Sequence, residues 1–358
     1  MALTGAMSAG ISGLKAHMDA LNVVGNNVAN VNTQGYKPGR VTFMESIYST
    51  QSAGSAGTAT VGGTNPRQTG YGVGIGTIDL DMSSRSLDST GRGMDCAIQG
   101  DGFFLVGDKT HDIDSMDALK GLTLTRVGNF EFRDGYLTDG QGNVVYGFIT
   151  RSNGDAPGTT PGDKPSTDLV PIRLPMKSTD PNSKGDAVYV GVDNQTGANV
   201  YPDNDPAATV DGFVDLENIS IDKNGKITGT NKDTGDPVVV GYIALGSVEN
   251  LNGVLHTEGP YYTAGDAAGD IRVGTPGNSV TGNLRNDKIT DGNNVVAPDS
   301  ALAEGSGATL MTGFLEASGT DLATEFANMI IYQRGYQANT RIVTVTDTML
   351  EELVNMKR

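Results

Sequence analysis

From Gly313 to Arg358 the chain carries apolar side chains at Leu322, Phe326, Met329, Ile330, Tyr336, Ile342, Val343, Met349, Leu350, Leu353 and Val354. Steps of three and four place them on one stripe of a helix. No proline interrupts the stretch, and Gly335 is its one interior glycine. A helix over 321–356 would be ~50 Å long, too long to lie across one small core. It needs a helical partner. At the other end of the chain Met7, Ile11, Leu14, Met18, Leu21 and Val28 step by fours and threes, with Gly25 the one gap. That is the a/d seam of a coiled coil. The spacing predicts that the terminal helices pack together and that the middle of the chain is a β-rich excursion between them. Two amphipathic helices, each lying on its own globular core, would satisfy the same periodicity.

Composition narrows the middle. Glycine, at 50 of 358 residues, is about twice its usual frequency, and tryptophan is absent. Many turns and short strands fit this better than an α/β enzyme core. A net charge of −17 argues against nucleic acid or an anionic membrane surface as partner. The single cysteine, Cys96, rules out an intrachain disulfide. The opening residues, 1–20, have no basic stretch before an apolar core and no small-residue cleavage site, so a cleaved secretory signal is not expected. No window approaches eighteen apolar residues, so no membrane insertion is expected.

Residues 3–31 read as the first helix. Its end, with Asn26, Asn27, Asn30 and Asn32 before Thr33, Gly35, Tyr36, Lys37 and Pro38, reads as a helix cap and turn. Four asparagines exceed what one cap needs. Residues 39–70, rich in Ser, Gly, Ala and Thr, read as a flexible or extended connector. Val73, Ile75, Ile78 and Leu80 suggest a strand. Gly100-Asp101-Gly102 before Phe103 and Phe104 signals a hairpin, and Asp134-Gly135 marks another turn. His111–Lys120 reads as a polar excursion. Residues 149–240, dense in Asp, Pro, Gly and Asn, suggest short strands at 169–174, 187–192, 212–216, 219–222 and 226–229, as in a small β-barrel or sandwich. A buried strand over 238–245 returns to the earlier β-region.

The run Asn26-Asn27-Val28-Ala29-Asn30-Val31-Asn32-Thr33-Gln34-Gly35-Tyr36-Lys37 resembles the N-terminal signature of the bacterial flagellar rod and hook proteins. Ala97 to Phe104, with Gly100, Asp101, Gly102, Phe103 and Phe104, resembles that family's central motif. Thr125–Phe130 and Gly135–Asp139 resemble the strand pair after it. Leu315–Ser318, Asp321-Leu322, Met329-Ile330, Gln333-Arg334 and Tyr336-Gln337 resemble its C-terminal helix.

The resemblance implies an α+β, mainly β fold with a nested order. Paired coiled-coil-like helices (1–32 and 313–358) form an axial domain. A connector (33–70 and 306–312) follows, then an inner β-domain (71–148 and 241–305) carrying an inserted outer β-barrel-like domain (149–240). The axial assembly residues would be Met7, Ile11, Leu14, Met18, Leu21, Val28, Leu322, Phe326, Met329, Ile330, Tyr336, Val343, Leu350 and Leu353.

The resemblance also implies a structural subunit, not an enzyme, that polymerises with copies of itself into a hollow tube on the outside of the cell. Export would use the flagellum's own channel. Within the family, length and the outer segment point to the hook branch, a curved and flexible tube between rod and filament. Its neighbours would be the distal rod, hook cap and hook–filament junction proteins and the export apparatus. A distal rod subunit is the alternative. From another class, a secreted β-rich carbohydrate-active or carbohydrate-binding protein would need convergent carboxylates or aromatics in a pocket.

Catalytic and metal constellations are not evident, and no cofactor is expected. His17, His111 and His256 are far apart and form no metal-spaced pair. There is no Gly-x-Ser-x-Gly elbow and no Walker loop. Gly70-Tyr71-Gly72-Val73-Gly74-Ile75-Gly76 alternates too strictly for dinucleotide binding and reads as a strand approached closely by another backbone. Asp222-Lys223-Asn224-Gly225 mimics the start of a calcium loop but lacks the distant glutamate, so it reads as a turn. Asp203-Asn204-Asp205 reads as a solvated loop. Cys96 reads as a small buried apolar residue.

Overall fold

The computed structural model describes residues 2–57, 62–109, 119–151, 164–179, 184–185, 187–188, 191–192, 199–200, 210–276, 290–291, 294–295 and 308–356. The chain divides into two compact units. One holds 1–33, 37–81 and 318–358; the other holds 34–36 and 82–317. The polar excursion before Leu119 and the Asp203–Asp205 loop lie outside the described residues.

The first unit contains two long helices, α1 (Ala2–Ala29) and α2 (Leu322–Met356). Asp321 caps α2: its carboxylate accepts from the Ala323 amide at 3.1 Å and from the Thr324 hydroxyl at 2.6 Å. The helices pack on each other and on the base of a two-stranded ribbon. In that ribbon Gly39–Glu45 pairs antiparallel with Val73–Leu80, and Tyr48–Ser52 pairs with Arg67–Gly70. A Ser55–Thr64 bridge extends it further. The stretch expected to be a connector is therefore a hydrogen-bonded β-ribbon. Serine and threonine support it directly: the Thr42 and Thr77 hydroxyls lie 2.7 Å apart across the ladder. The strand over 73–80 belongs with the helices, not with the inner β-domain expected to begin at residue 71. At Gly72 (φ +112°) the approach of another backbone is met, because a Cβ there would lie 3.1 Å from Ala9 Cα on α1.

The β-rich unit is built on one large antiparallel sheet. Its main path runs Leu216–Ile221, Lys226–Asn231, Pro237–Ile243, Val144–Arg151, Phe103–Gly107, Thr123–Thr125, Tyr261–Ala264, Val254–His256. Lys164–Pro171 also pairs with Val144–Arg151. Lys164–Pro171, Leu216–Ile221, Lys226–Asn231 and the start of Pro237–Ile243, all within the expected outer domain, are thus part of this sheet. Ile221, Ile227 and Val240 share one buried core with Phe104, Phe130 and Val145. What lies outside the sheet, among the described residues of 149–240, is a three-stranded sheet (Ala187–Val188, Met176–Ser178, Val210–Phe213) and the short pair Gly191–Val192 with Asn199–Val200. The boundary expected at residue 240 moves back to about Leu216, because pairing partners depend on long-range register that turn composition does not encode.

Two turns contrast. At Asp134 (φ 51°) and Gly135 (φ 79°) both central residues are left-handed, as a type I′ hairpin requires, and Glu131–Arg133 pairs with Tyr136–Thr138. At Gly100-Asp101-Gly102 the expected hairpin does not form. Cys96–Gln99 pairs with Thr309–Thr312, a stretch expected to be connector, while Phe103–Gly107 enters the main sheet. Gly100 (φ +119°) passes so close to Ala308 that a Cβ would lie 3.1 Å from its Cα. Asp222–Gly225 is a turn, closed by the Gly225 amide on the Asp222 carbonyl at 2.8 Å. Cys96 is fully buried, and burial pushes its thiol pKa up, away from the reactive thiolate.

Phe104 and Phe130 meet edge to face at 4.9 Å in this core, and both are fully buried. Phe104→Ala is expected to cost the β-rich unit about 3–5 kcal/mol, read from urea unfolding of the core against the parent chain.

Candidate assembly interface

Among the described residues, the helical unit carries most of the exposed large apolar side chains. The side of α1 that is buried is not the expected one. Gly10, Gly13, Ala16, Ala20, Val24 and Asn27 are its buried positions. They lie one residue before, or about 100° around the helix from, the large-residue seam. Small residues let the helices come close. A Cβ on Gly10 would lie 3.2 Å from Val343 Cγ2, and one on Gly13 would lie 2.5 Å from Asn339 Nδ2. From the other side, a Cβ on Gly335 would lie 2.6 Å from the His17 ring. His17 itself packs with Phe43 and Tyr332, at centroid distances of 5.4 and 6.2 Å.

The large apolar residues are left outside this tight seam. On α1, Met7, Leu14, Leu21 and Val28 are half-buried, while Ile11 and Met18 are exposed. On α2, Met329, Val343 and Leu350 are half-buried. Leu322, Phe326, Ile330, Tyr336 and Leu353 are exposed, Ile330 by 59%. The only residue of α2 that is buried is Thr346, whose hydroxyl donates back to the Ile342 carbonyl at 2.7 Å. Sequence reasoning found the large stripe but missed that Gly10, Gly13 and Gly335 let the helices close, with Ala16 and Ala20 buried on the same side of α1. The signal was present in their spacing and was masked by weighting positions by hydrophobicity.

The asparagine run has separate tasks. Asn27 is buried and its side chain acts as a strand edge: Nδ2 donates to the Gly39 carbonyl at 2.8 Å, and Oδ1 accepts from the Gly39 amide at 3.0 Å. Nδ2 also donates to Glu325 Oε1 at 3.0 Å, tying the end of α1 to the start of α2. Asn30 Nδ2 donates to the Asn26 carbonyl and Oδ1, both at 3.0 Å, and the Asn30 Oδ1 accepts from the Thr33 hydroxyl. The Asn30 carbonyl accepts from the Ser318 hydroxyl at 2.8 Å. Asn32 and Thr33 are exposed, and Gly35 (φ +67°), Tyr36 and Lys37 are buried. In the β-rich unit Gly100 and Gly102 hold positive φ, Asp101 is exposed, and Phe103 and Phe104 are core. These five are fold-bearing within the β-rich unit.

No cluster of metal-ligating side chains occurs among the described residues. A cavity of about 220 Å³ in the β-rich unit is lined by Thr125, Val127, Asn129, Asp139, Gly140, Gln141, Pro260 and Tyr261. Its carboxylate is already engaged. Asp139 accepts from the amides of Gln141 and Asn143, both at 2.9 Å, and from the Tyr261 hydroxyl. Burial, then that hydrogen bond, pushes the Tyr261 pKa up. This is a satisfied turn rather than an open carboxylate.

Two family models match the chain at its ends. Residues 7–37 match the flagella basal body rod protein model, and residues 311–356 match the flagellar basal body rod FlgEFG protein C-terminal model. The flagellar basal-body rod protein FlgG of Bacillus subtilis is 32% identical, across 98% of this chain and 97% of its own length. The chain belongs to the flagellar rod and hook protein family. The flagellar hook protein FlgE of Salmonella typhimurium is 27% identical, across 98% of this chain and 99% of its own. That of Borreliella burgdorferi is 25% identical, across 97% and 98%. These hook relatives support a structural subunit of the flagellar hook. No described helix is long and apolar enough to cross a membrane.

Glu325 offers a pH test of the Asn27 junction. Burial raises its pKa above the ordinary carboxylate value, the Asn27 hydrogen bond opposes that shift, and the Asp321 charge adds to it. A raised carboxyl favours the neutral form in the folded state, so its stabilising contribution is present at low pH and is lost as pH rises through the folded value. Glu325→Gln keeps an acceptor for Asn27 without the charge. The variant is expected to match the parent in acid and to exceed it in thermal stability at neutral pH, followed by the helical circular dichroism signal. A Gly13→Val chain, with its side chain forced into Asn339, is expected to lose helix pairing at all pH values.

Proposed function

We propose that this chain is the hook subunit and that it polymerises through its helical unit into a curved, flexible, hollow tube. The tube would transmit torque from rod to filament and carry an export channel. The observation that carries the polymer is the outward stripe of α2, with Phe326, Ile330, Ile331, Val345, Met349, Leu353 and Val354 all exposed beside a seam closed by small residues. Burying each such side chain against a neighbour contributes roughly 1.5–3 kcal/mol. Copies joined by a repeated head-to-tail contact that does not close form a helical filament. The role is structural rather than catalytic. Family membership supports a place in the extracellular flagellum, export without a cleaved signal, and end contacts with distal rod, hook cap and hook–filament junction proteins and the export apparatus.

A distal rod subunit is the second reading, and one observation favours it. The alignment with the rod protein runs over 357 residues, nearly the 358 of this chain. Those with the Salmonella and Borreliella hook proteins run over 428 and 472, so those proteins carry segments that this chain lacks. Length therefore does not single out the hook, contrary to the expectation from sequence. The main reading rests on the near full-length hook matches.

Electron microscopy of the purified chain, concentrated in a precipitant, separates these readings. Curved, flexible tubes with a central channel are expected; straight, stiff tubes would favour the rod. Monodisperse particles from a folded chain would count against polymerisation. Ile330→Asp is expected to raise the concentration needed for assembly at least about tenfold, since one lost burial is worth more than 1.4 kcal/mol, while leaving the unfolding of the β-rich core unchanged.

A further inference from the structure

Among the described residues five methionines are exposed, and four of them, Met18, Met44, Met349 and Met356, belong to the helical unit, the smaller of the two. Three of these stand on the long helices. Met18, 49% exposed, continues the steps of Met7, Ile11 and Leu14 along α1. Met349 and Met356, 51% and 82% exposed, fall in line with Val345 and Leu353 along α2. All three thus lie on apolar lines that the small-residue seam leaves open.

A thioether matches its Leu, Ile and Val neighbours in apolarity and differs from them in chemistry. Peroxides oxidise sulfur and leave the hydrocarbon side chains alone. The β-rich unit keeps most of its sulfur out of reach. Cys96 is fully buried, with its thiol held protonated by burial, and Met82 is buried as well. Met311 is that unit's one exposed methionine among the described residues.

We propose that Met18, Met349 and Met356 form an oxidation-sensitive control on assembly. In the free chain a peroxide transfers one oxygen atom to each thioether. An S=O bond forms, the O–O bond breaks, sulfur loses two electrons and, with hydrogen peroxide, water is released. The sulfoxide is strongly polar, and it stands on a surface that must leave water when a second copy covers it. The contact between the helices is untouched, because Gly10, Gly13 and Gly335 let it close and carry no sulfur. The pair therefore stays folded while its outer face ceases to join copies. Copies already joined shield the same sulfurs. This inference rests on the polymer reading, in which that face is the contact.

The test treats the full-length chain with hydrogen peroxide and maps sulfoxide at each methionine by peptide mass spectrometry. Met18, Met349 and Met356 are expected to oxidise at least about tenfold faster than Met82, with the helical circular dichroism signal unchanged. The concentration needed for tubes is expected to rise at least about tenfold. Reduction by the two methionine sulfoxide reductases, with dithiothreitol as electron donor, is expected to restore it. In tubes formed beforehand the three sites are expected to oxidise more slowly than in the free chain. Met18→Leu/Met349→Leu/Met356→Leu conserves volume and apolarity and is expected to assemble as the parent does, with or without peroxide. Met311→Leu is expected to remain peroxide-sensitive. An unchanged assembly threshold after complete oxidation, a triple variant as sensitive as the parent, or loss of the helical signal on oxidation would overturn the inference and leave the polymer reading standing. No tubes from the untreated chain would overturn both.

Discussion

The closeness of α1 and α2 is set by what is missing from their shared face. Gly13 lies against Asn339 and Gly335 against the His17 ring with no room for a β-carbon, and Gly10 lies against Val343 with little. A seam of Leu and Ile would hold two helices with ample buried apolar area and use the large side chains to do it. A glycine seam instead closes by backbone proximity, and most of the large side chains remain on the other faces. The pair is therefore complete as a pair and incomplete as a surface. That incompleteness is what makes a single copy an unfinished object.

Closing the helices this way relies on polar groups being placed correctly at their ends. Asn27 would be costly in the middle of a buried face, since an unpaired amide there loses its hydration. It is accommodated because Gly39 presents a backbone donor and acceptor to it and Glu325 presents a further acceptor. The same contacts start the ribbon at Gly39 and fix where α2 begins. One side chain thereby sets the relation of three elements, which accounts for an asparagine where a helix cap alone would tolerate several residues.

The helices were legible in the sequence because amphipathic periodicity is a local property. The expected span over 321–356 and the observed Leu322–Met356 agree closely. Which face of α1 meets α2 was not legible, because periodicity locates apolar residues and says nothing of whether a neighbour or a second copy covers them. The ribbon over 39–80 was misread for a related reason. Its Ser and Thr content resembles that of a linker, but cross-strand hydroxyl pairs such as Thr42 with Thr77 make those residues suit a narrow ladder. The Asp134-Gly135 hairpin was readable since its turn is self-contained. The Gly100–Gly102 segment carried the same dipeptide signal, yet its strands pair elsewhere. Its Gly100 answers to Ala308, about 200 residues further along the chain. The extent of the outer segment failed likewise: strands over 216–231 were found, but the sheet they join was not.

Two different kinds of contact thus divide the molecule's mechanical work. An exposed apolar stripe is non-directional, so if copies pack on it as proposed, their contacts would tolerate small shifts in register at little cost. Within the β-rich unit, the Gly35 and Arg85 amides are held by directional hydrogen bonds to Glu316. Such bonds weaken steeply with misalignment. A polymer that must bend while turning needs both properties, and needs them in separate places. If the stripe were replaced by paired charges, each copy would be locked in one register with its neighbour. On the proposed reading, the sequence places its glycines where the helices close and its large apolar residues on faces that further copies would cover.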